Sequence, residues 1–378
     1  MAGLYIHIPF CKRKCRYCDF ISFSGVSDFT PYLDALMSEI RMLAPMMNER
    51  SFDSVFIGGG TPSYLPEGAI GRLLTEVQNC FCIVPDAEIT IESNPDSITE
   101  CKLSEYLNAG INRLSIGLQS TDDDVLSLIG RVHDLKQFLS AVDLARHAGF
   151  SNINADIMHG LPGQSIRSYL DTIALLAKLG IEHISSYALI LEEGTPLYSD
   201  VSDGCIELPN ADDVADMEDA GFELINELGY RRYEISNFAI PGFECRHNLN
   251  YWNNGEYLGL GLNAHSAMSL RGKWMRWANK DTLSDYIRDC SESKLPVAFS
   301  DEIALCEEMF ETIMVGLRKI DGIDRSSFKN RFGIDPVEHY ASAISEAVLE
   351  GNMLVSDDTI RLTKRGLDFQ NEVLLKFM

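Results

Sequence analysis

Basic residues are scarce in this chain. Lys and Arg number 32 against 56 Asp and Glu, a net charge of −24. A surface of that sign repels phosphate backbones, which argues against a polynucleotide substrate. No run of ~18 apolar residues is present, so no membrane-spanning helix is expected. The opening MAGLYIHIPF is too short and uncharged for a secretory signal, and without export a disulfide framework is not expected. The ten cysteines then point to a reducing, cytoplasmic setting. Internal repeats and low-complexity tracts are absent. Hydrophobic residues make up 46%, enough to bury a sizeable core, so disorder is not expected either.

What is present is concentrated near the start. Cys11, Cys15 and Cys18 stand in a C-x3-C-x2-C spacing within YIHIPFCKRKCRYCDF. Three thiolates on one short loop can hold three irons of a [4Fe-4S] cluster. Clusters normally take four cysteines, so such a loop leaves one iron open to a small molecule. Zinc favours paired knuckles such as C-x2-C, and no second pair follows; the other seven cysteines are scattered. The basic run Lys12, Arg13, Lys14 and Arg16 either offsets the charge of an anionic cluster or is simply solvated.

Over the first ~190 residues, apolar strands alternate with helical stretches. The strands are LYIHIPF, SVFIGGG, EITIES, RLSIGLQS, NINADIMHGLP and HISSYALI. Thr30 is expected to cap the first helix, with Pro31 at its first position and Leu33, Leu36, Met37 and Ile40 on one face. Gly110 and Gly149 stop two later helices. Six βα units predict a parallel sheet, either an incomplete (β/α)6 TIM-like barrel or an open doubly wound sheet. In both, ligands bind at the C-terminal ends of the strands. The cysteine loop, GGGTP, Glu92 and Gln119 all fall at such ends, and Asp156 lies in the fifth strand. Residues 1–190 are therefore expected as the barrel, 191–275 as an extension and 276–300 as a bridge. Residues 301–378, three helices and a hairpin turning at Asp357–Asp358, are expected as a small winged-helix-like α+β domain. That segment holds 15 acidic and 9 basic residues, which favours packing or substrate shielding over DNA binding.

Taken together, YIHIPFCKRKCRYCDF, FIGGGTP, IESNP, GLQS, DIMHGLPGQS, YALILEEGTP and RHNLNYW resemble the HemN/HemW family of the radical S-adenosylmethionine (radical SAM) superfamily. That family comprises the oxygen-independent coproporphyrinogen III oxidases and their heme-chaperone relatives. The resemblance implies that Cys11, Cys15 and Cys18 hold a [4Fe-4S] cluster. It implies that Tyr5, Tyr17, Gly59, Gly60, Thr61, Glu92, Gln119, Arg131, Asp156 and Ala188 surround S-adenosylmethionine. The chemistry suits those roles. Glycines let the backbone approach a ligand, Arg131 can fork a carboxylate, and Glu92 and Asp156 can accept from ribose hydroxyls or an ammonium. A P-loop is disfavoured because no Lys-Ser/Thr follows the glycines. His159 stands where the family pattern has tyrosine, while Asp156 and Gly160-Leu161-Pro162 are intact.

Two details favour the heme-chaperone (HemW-type) branch. Asp19-Phe20 follow Cys18, where the oxidase branch has C-G-C. His247, Asn248, Tyr251 and Trp252 fit the HNxxYW motif that the chaperone branch associates with heme; imidazole is an axial ligand of heme iron. The resemblance thus implies a cytoplasmic chaperone that binds heme, the cluster and S-adenosylmethionine and delivers heme to apo-hemoproteins, and it is compatible with a homodimer. The alternative is a coproporphyrinogen III oxidase, which would decarboxylate porphyrin propionates by radical chemistry and need an electron donor such as flavodoxin. On this reading enzymatic activity is disfavoured, and no catalytic residue is assigned.

Overall fold

A computed structural model describes residues 1–378. Six parallel strands form its centre: β1 (Ala2–Ile8), β2 (Ser51–Gly59), β3 (Cys82–Ser93), β4 (Arg113–Gln119), β5 (Ile153–His159) and β6 (His183–Ala188). They pair in chain order. Each of these six matches a strand expected from the apolar runs. β1 and β6 do not pair with each other, so the barrel is incomplete.

The connecting helices follow the expected chemistry with local differences. Asp134 and Gln137 form a capping box for Leu135–Ala148, which ends on left-handed Gly149. The first helix, Thr30–Leu43, begins one residue earlier than a Thr30 cap would allow. The cap position falls on Phe29, which makes no side-chain cap bond, and Asp28 just before it accepts from the Thr30 amide at 3.0 Å. Leu33, Leu36 and Ile40 are buried as expected, whereas Met37 is half-buried.

The segments read as extension and bridge differ most from expectation, because they continue the barrel sheet. Tyr257–Leu260 adds parallel to β1, and His265–Leu270, Lys273–Asn279 and Val297–Glu302 follow antiparallel. On the other edge, Asn237–Ala239 and Arg231–Arg232 extend β6. A 12-stranded sheet results, and one apolar core of 56 buried residues runs from Ala2 to Cys290. The C-terminal helices and wing enclose a separate core of 14 residues. The wing gains a third strand, Ile323–Asp324, paired to Thr359–Leu362. The helix expected over 336–350 is broken into Pro336–His339 and Ala341–Leu349.

Glu39 fastens the added strands to the barrel. It is 1% exposed and accepts from Tyr286 Oη (2.6 Å), the Gly261 amide (2.8 Å) and Asn279 Nδ2 (2.5 Å). Burial pushes its carboxyl up to about 7. Glu39→Ala strands three buried donors, and is expected to cost about 3 kcal/mol or more. The midpoint of the first thermal transition should fall by about 5 °C; an unchanged midpoint would sink this role.

Candidate functional site

A cavity of about 170 Å³ opens at the C-terminal ends of the strands, and the three cysteines line it together. All three are free and half-buried. Burial pushes the thiols of Cys11 and Cys18 up. Thr61 Oγ1 donates to Cys11 Sγ at 3.6 Å, and Arg131 Nη1 donates to Cys15 Sγ at 3.5 Å. The Thr61 contact favours the thiolate of Cys11 that metal binding needs.

The basic run does not simply wave in solvent. Lys12 pairs with Asp96 at 3.0 Å. Arg13 donates to the carbonyls of Gly130 (2.9 Å) and Arg131 (2.6 Å). Arg16 pairs with Asp200. These contacts staple the cysteine loop to three separate parts of the chain. Lys14 alone of the four lines the cavity without such a partner, beside Arg13.

Eight of the ten residues expected around S-adenosylmethionine border this cavity: Tyr17, Gly59, Gly60, Thr61, Glu92, Gln119, Arg131 and Asp156. The glycines are sterically required. A Cβ on Gly60 would sit 2.8 Å from the Phe10 carbonyl oxygen and 3.0 Å from Cys11 Sγ; one on Gly59 would meet the His7 ring at 2.6 Å. Gln119 ends β4 with φ of 72°, beside a register shift against β5. That left-handed backbone in a non-glycine residue costs ~1–3 kcal/mol and is typical of strained positions at ligand sites. Ala188 ends β6 with its side chain exposed, and Tyr5 faces a different cavity.

Arg131 is half-buried at the wall of the cavity. Nη2 donates to Asn94 Oδ1 (2.7 Å) and the Gly117 carbonyl (2.9 Å), while Nε is buried with no partner. Asn94 also donates to Thr61 Oγ1 at 3.3 Å. Asn94 lies inside the quoted IESNP run but carries no charge to draw attention. Glu92 accepts from the Gly59 amide at 3.0 Å. Burial first, and then the Asp156 charge, push its carboxyl up to about 8. Asp156 is also raised by burial, against hydrogen bonds from Asn154 (2.8 Å) and Ser115 (3.3 Å).

A second cavity, about 210 Å³, lies deeper and shares Glu92 and Asp156 with the first. Tyr5, His247, Asn248 and Tyr251 border it. His247 belongs to the helix Arg246–Trp252, which packs against β1 and β2. Its ring rests against Gly3, where a Cβ would approach to 3.1 Å. Both ring nitrogens are engaged, Nδ1 with Ser54 Oγ (2.9 Å) and Nε2 with Tyr251 Oη (3.1 Å). The ring is 1% exposed, and burial with the Arg113 charge pulls its pKa down to about 3. His247 is thus a neutral, satisfied core histidine rather than an open ligand face. Trp252 turns away, its indole near Arg318 of the C-terminal domain at 5.6 Å.

The sign of the Glu92 shift sets a pH dependence. A carboxyl raised from 4.5 to about 8 stabilises the fold below the unfolded value, and that contribution is lost as pH rises through the folded one. The thermal midpoint of the apoprotein, relative to Glu92→Gln, should therefore decline from about pH 5 to about pH 8 and then level off. Parallel curves for the two proteins would refute it.

Residues 5–185 match the radical SAM superfamily and residues 303–369 the HemN C-terminal domain. The heme chaperone HemW of Bacillus subtilis (strain 168) is 34% identical over 380 residues, covering 100% of this chain and 99% of that protein. The heme chaperone HemW of Escherichia coli (strain K12) is 33% identical, covering 100% and 98%. The solved coproporphyrinogen III oxidase HemN from Escherichia coli shares the fold, with a TM-score of 0.85 at 24% identity, covering 100% of this chain and 89% of that one. Full-length identity at this level, on a barrel whose rim gathers the three cysteines, shows that the chain belongs to the HemW family of the radical SAM superfamily.

Proposed function

We propose that this protein is a heme chaperone, which binds heme and hands it to apo-hemoproteins. The observation that carries the reading is identity to proteins named heme chaperones across the whole length of both chains. The Asp19-Phe20 sequence after Cys18, in place of C-G-C, supports it over an oxidase. No helix is long and apolar enough to cross a membrane.

The radical SAM superfamily is built around a [4Fe-4S] cluster and S-adenosylmethionine, and the residues present fit both. Three thiols share one cavity, Gly60 leaves room beside Cys11 Sγ, and the unpartnered Nε of Arg131 awaits an acceptor. Cys11, Cys15 and Cys18 would hold the cluster. Gly59, Gly60, Thr61, Gln119, Arg131, Glu92, Asp156 and Tyr17 would hold S-adenosylmethionine, with Ala188 and Tyr5 flanking. When bound, this pair supplies one-electron cleavage of a C–S bond. The protein's part is to orient and desolvate: Thr61 and Arg131 donate to thiolate sulfurs, and Glu92, held largely protonated at neutral pH, can donate as well as accept.

For heme, the HNxxYW segment is the proposed determinant. Because both His247 nitrogens are engaged, direct ligation requires the helix Arg246–Trp252 to move off β1 and β2. Heme held by other side chains leaves it in place.

The deciding assay is anaerobic. Cluster-reconstituted protein is given reductant, S-adenosylmethionine and coproporphyrinogen III, beside an authentic oxidase. Absence of protoporphyrinogen with an active control, together with saturable hemin binding and transfer to an apo-hemoprotein, is the expected result. Catalytic turnover would make the protein an oxidase. His247→Ala that binds and transfers heme like wild type would remove His247 from the heme site. Gly60→Ala should fold but lose most iron and sulfide on reconstitution, since its Cβ displaces Phe10 and Cys11; full iron content would contradict the cradle.

A further inference from the structure

We propose that the inner cavity beside Arg113 is a binding site for a small monocarboxylate. Arg113 opens β4 and is 2% exposed. Its guanidinium takes part in none of the protein's side-chain hydrogen bonds or ion pairs, and Nε is buried with no partner. Removing such a charge from water without compensation is costly, so buried guanidinium groups are normally paired. Here the neighbouring carboxylates are occupied elsewhere. Glu88 accepts from Cys245 Sγ (3.3 Å) and from the Arg246 (3.1 Å) and His247 (3.2 Å) amides. Asp156 is engaged by Asn154 and Ser115. Both act on Arg113 only through space.

The free fork borders a space of about 210 Å³, shared with Ser115, Ser185, Tyr5, Tyr251 and Phe56. Pockets for drug-sized ligands run to ~300–1,000 Å³, so the guest is small or is one arm of something larger. A guanidinium meets a planar carboxylate with two parallel hydrogen bonds, and hydroxyls can serve the remaining lone pairs. A dianion such as phosphate is opposed by the Glu88 and Asp156 charges. Glu92, raised to about 8, is largely protonated at neutral pH and adds a donor rather than another repulsion. Glu92 and Asp156 border both cavities, so a ligand seated here lies next to whatever the cysteine cavity holds. The inference is independent of heme binding.

The test is calorimetric titration of the full, cluster-reconstituted chain with sodium butyrate, butyramide and inorganic phosphate at constant ionic strength. One saturable butyrate site is expected, at least about tenfold tighter than either control, and weakened about tenfold or more by Arg113→Gln. If Arg113→Gln does not fold, Arg113→Lys takes its place: it keeps the charge, loses the fork, and should also bind butyrate more weakly. The proposal is overturned by absence of saturable butyrate binding to wild type, by equal binding of butyrate and butyramide, or by undiminished affinity in the folded variant.

Discussion

Four acids set among the barrel strands and their first helix, Glu39, Glu88, Glu92 and Asp156, are held by hydrogen bonds from amides and neutral side chains, not by counter-ions. Glu39 takes two side chains and an amide, Glu88 two amides and a thiol, Glu92 the Gly59 amide, and Asp156 an amide side chain and a hydroxyl. Apart from Asn154 to Asp156, which lies within β5, each bond joins elements far apart in sequence or fixes one strand against its neighbour. The barrel interior is therefore polar without being a cluster of salt bridges. Arg113 is the exception, a buried cation left without such bonds.

The same constraint explains the division between the two cavities. The outer one is shaped by backbone: glycine residues at the end of β2, a left-handed Gln119, and the cysteine loop. The inner one is shaped by side chains projecting from strand middles and closed by the helix Arg246–Trp252. Glu92 and Asp156 form the wall between them. A change in charge on either acid is felt on both sides of that wall.

The six parallel strands and the rim were legible because they depend on local signals. Apolar runs end at turn residues, and chemically loaded motifs fall at the same end of each strand. The continuation of the sheet was not legible, because Tyr257–Leu260 pairs with β1 across some 250 residues of chain. Nothing local distinguishes that pairing from an appended unit. The basic run was ambiguous for the same reason: its partners Asp96, Gly130 and Asp200 are remote. Arg113 opens a strand with no other charged residue, and nothing in the local sequence marks it as buried. The HNxxYW motif suggested a face for heme, but Gly3 allows the imidazole to sink against β1, and a glycine's missing side chain is easily overlooked.

The stapling of the cysteine loop bears on the kinetics of metal assembly. Lys12, Arg13 and Arg16 hold the loop against Asp96, Gly130, Arg131 and Asp200 through contacts between protein groups. These protein contacts carry part of the ordering that metal binding would otherwise have to supply, which lowers the entropic cost of assembling a cluster there. Oxidative loss of the inorganic core would leave the scaffold standing.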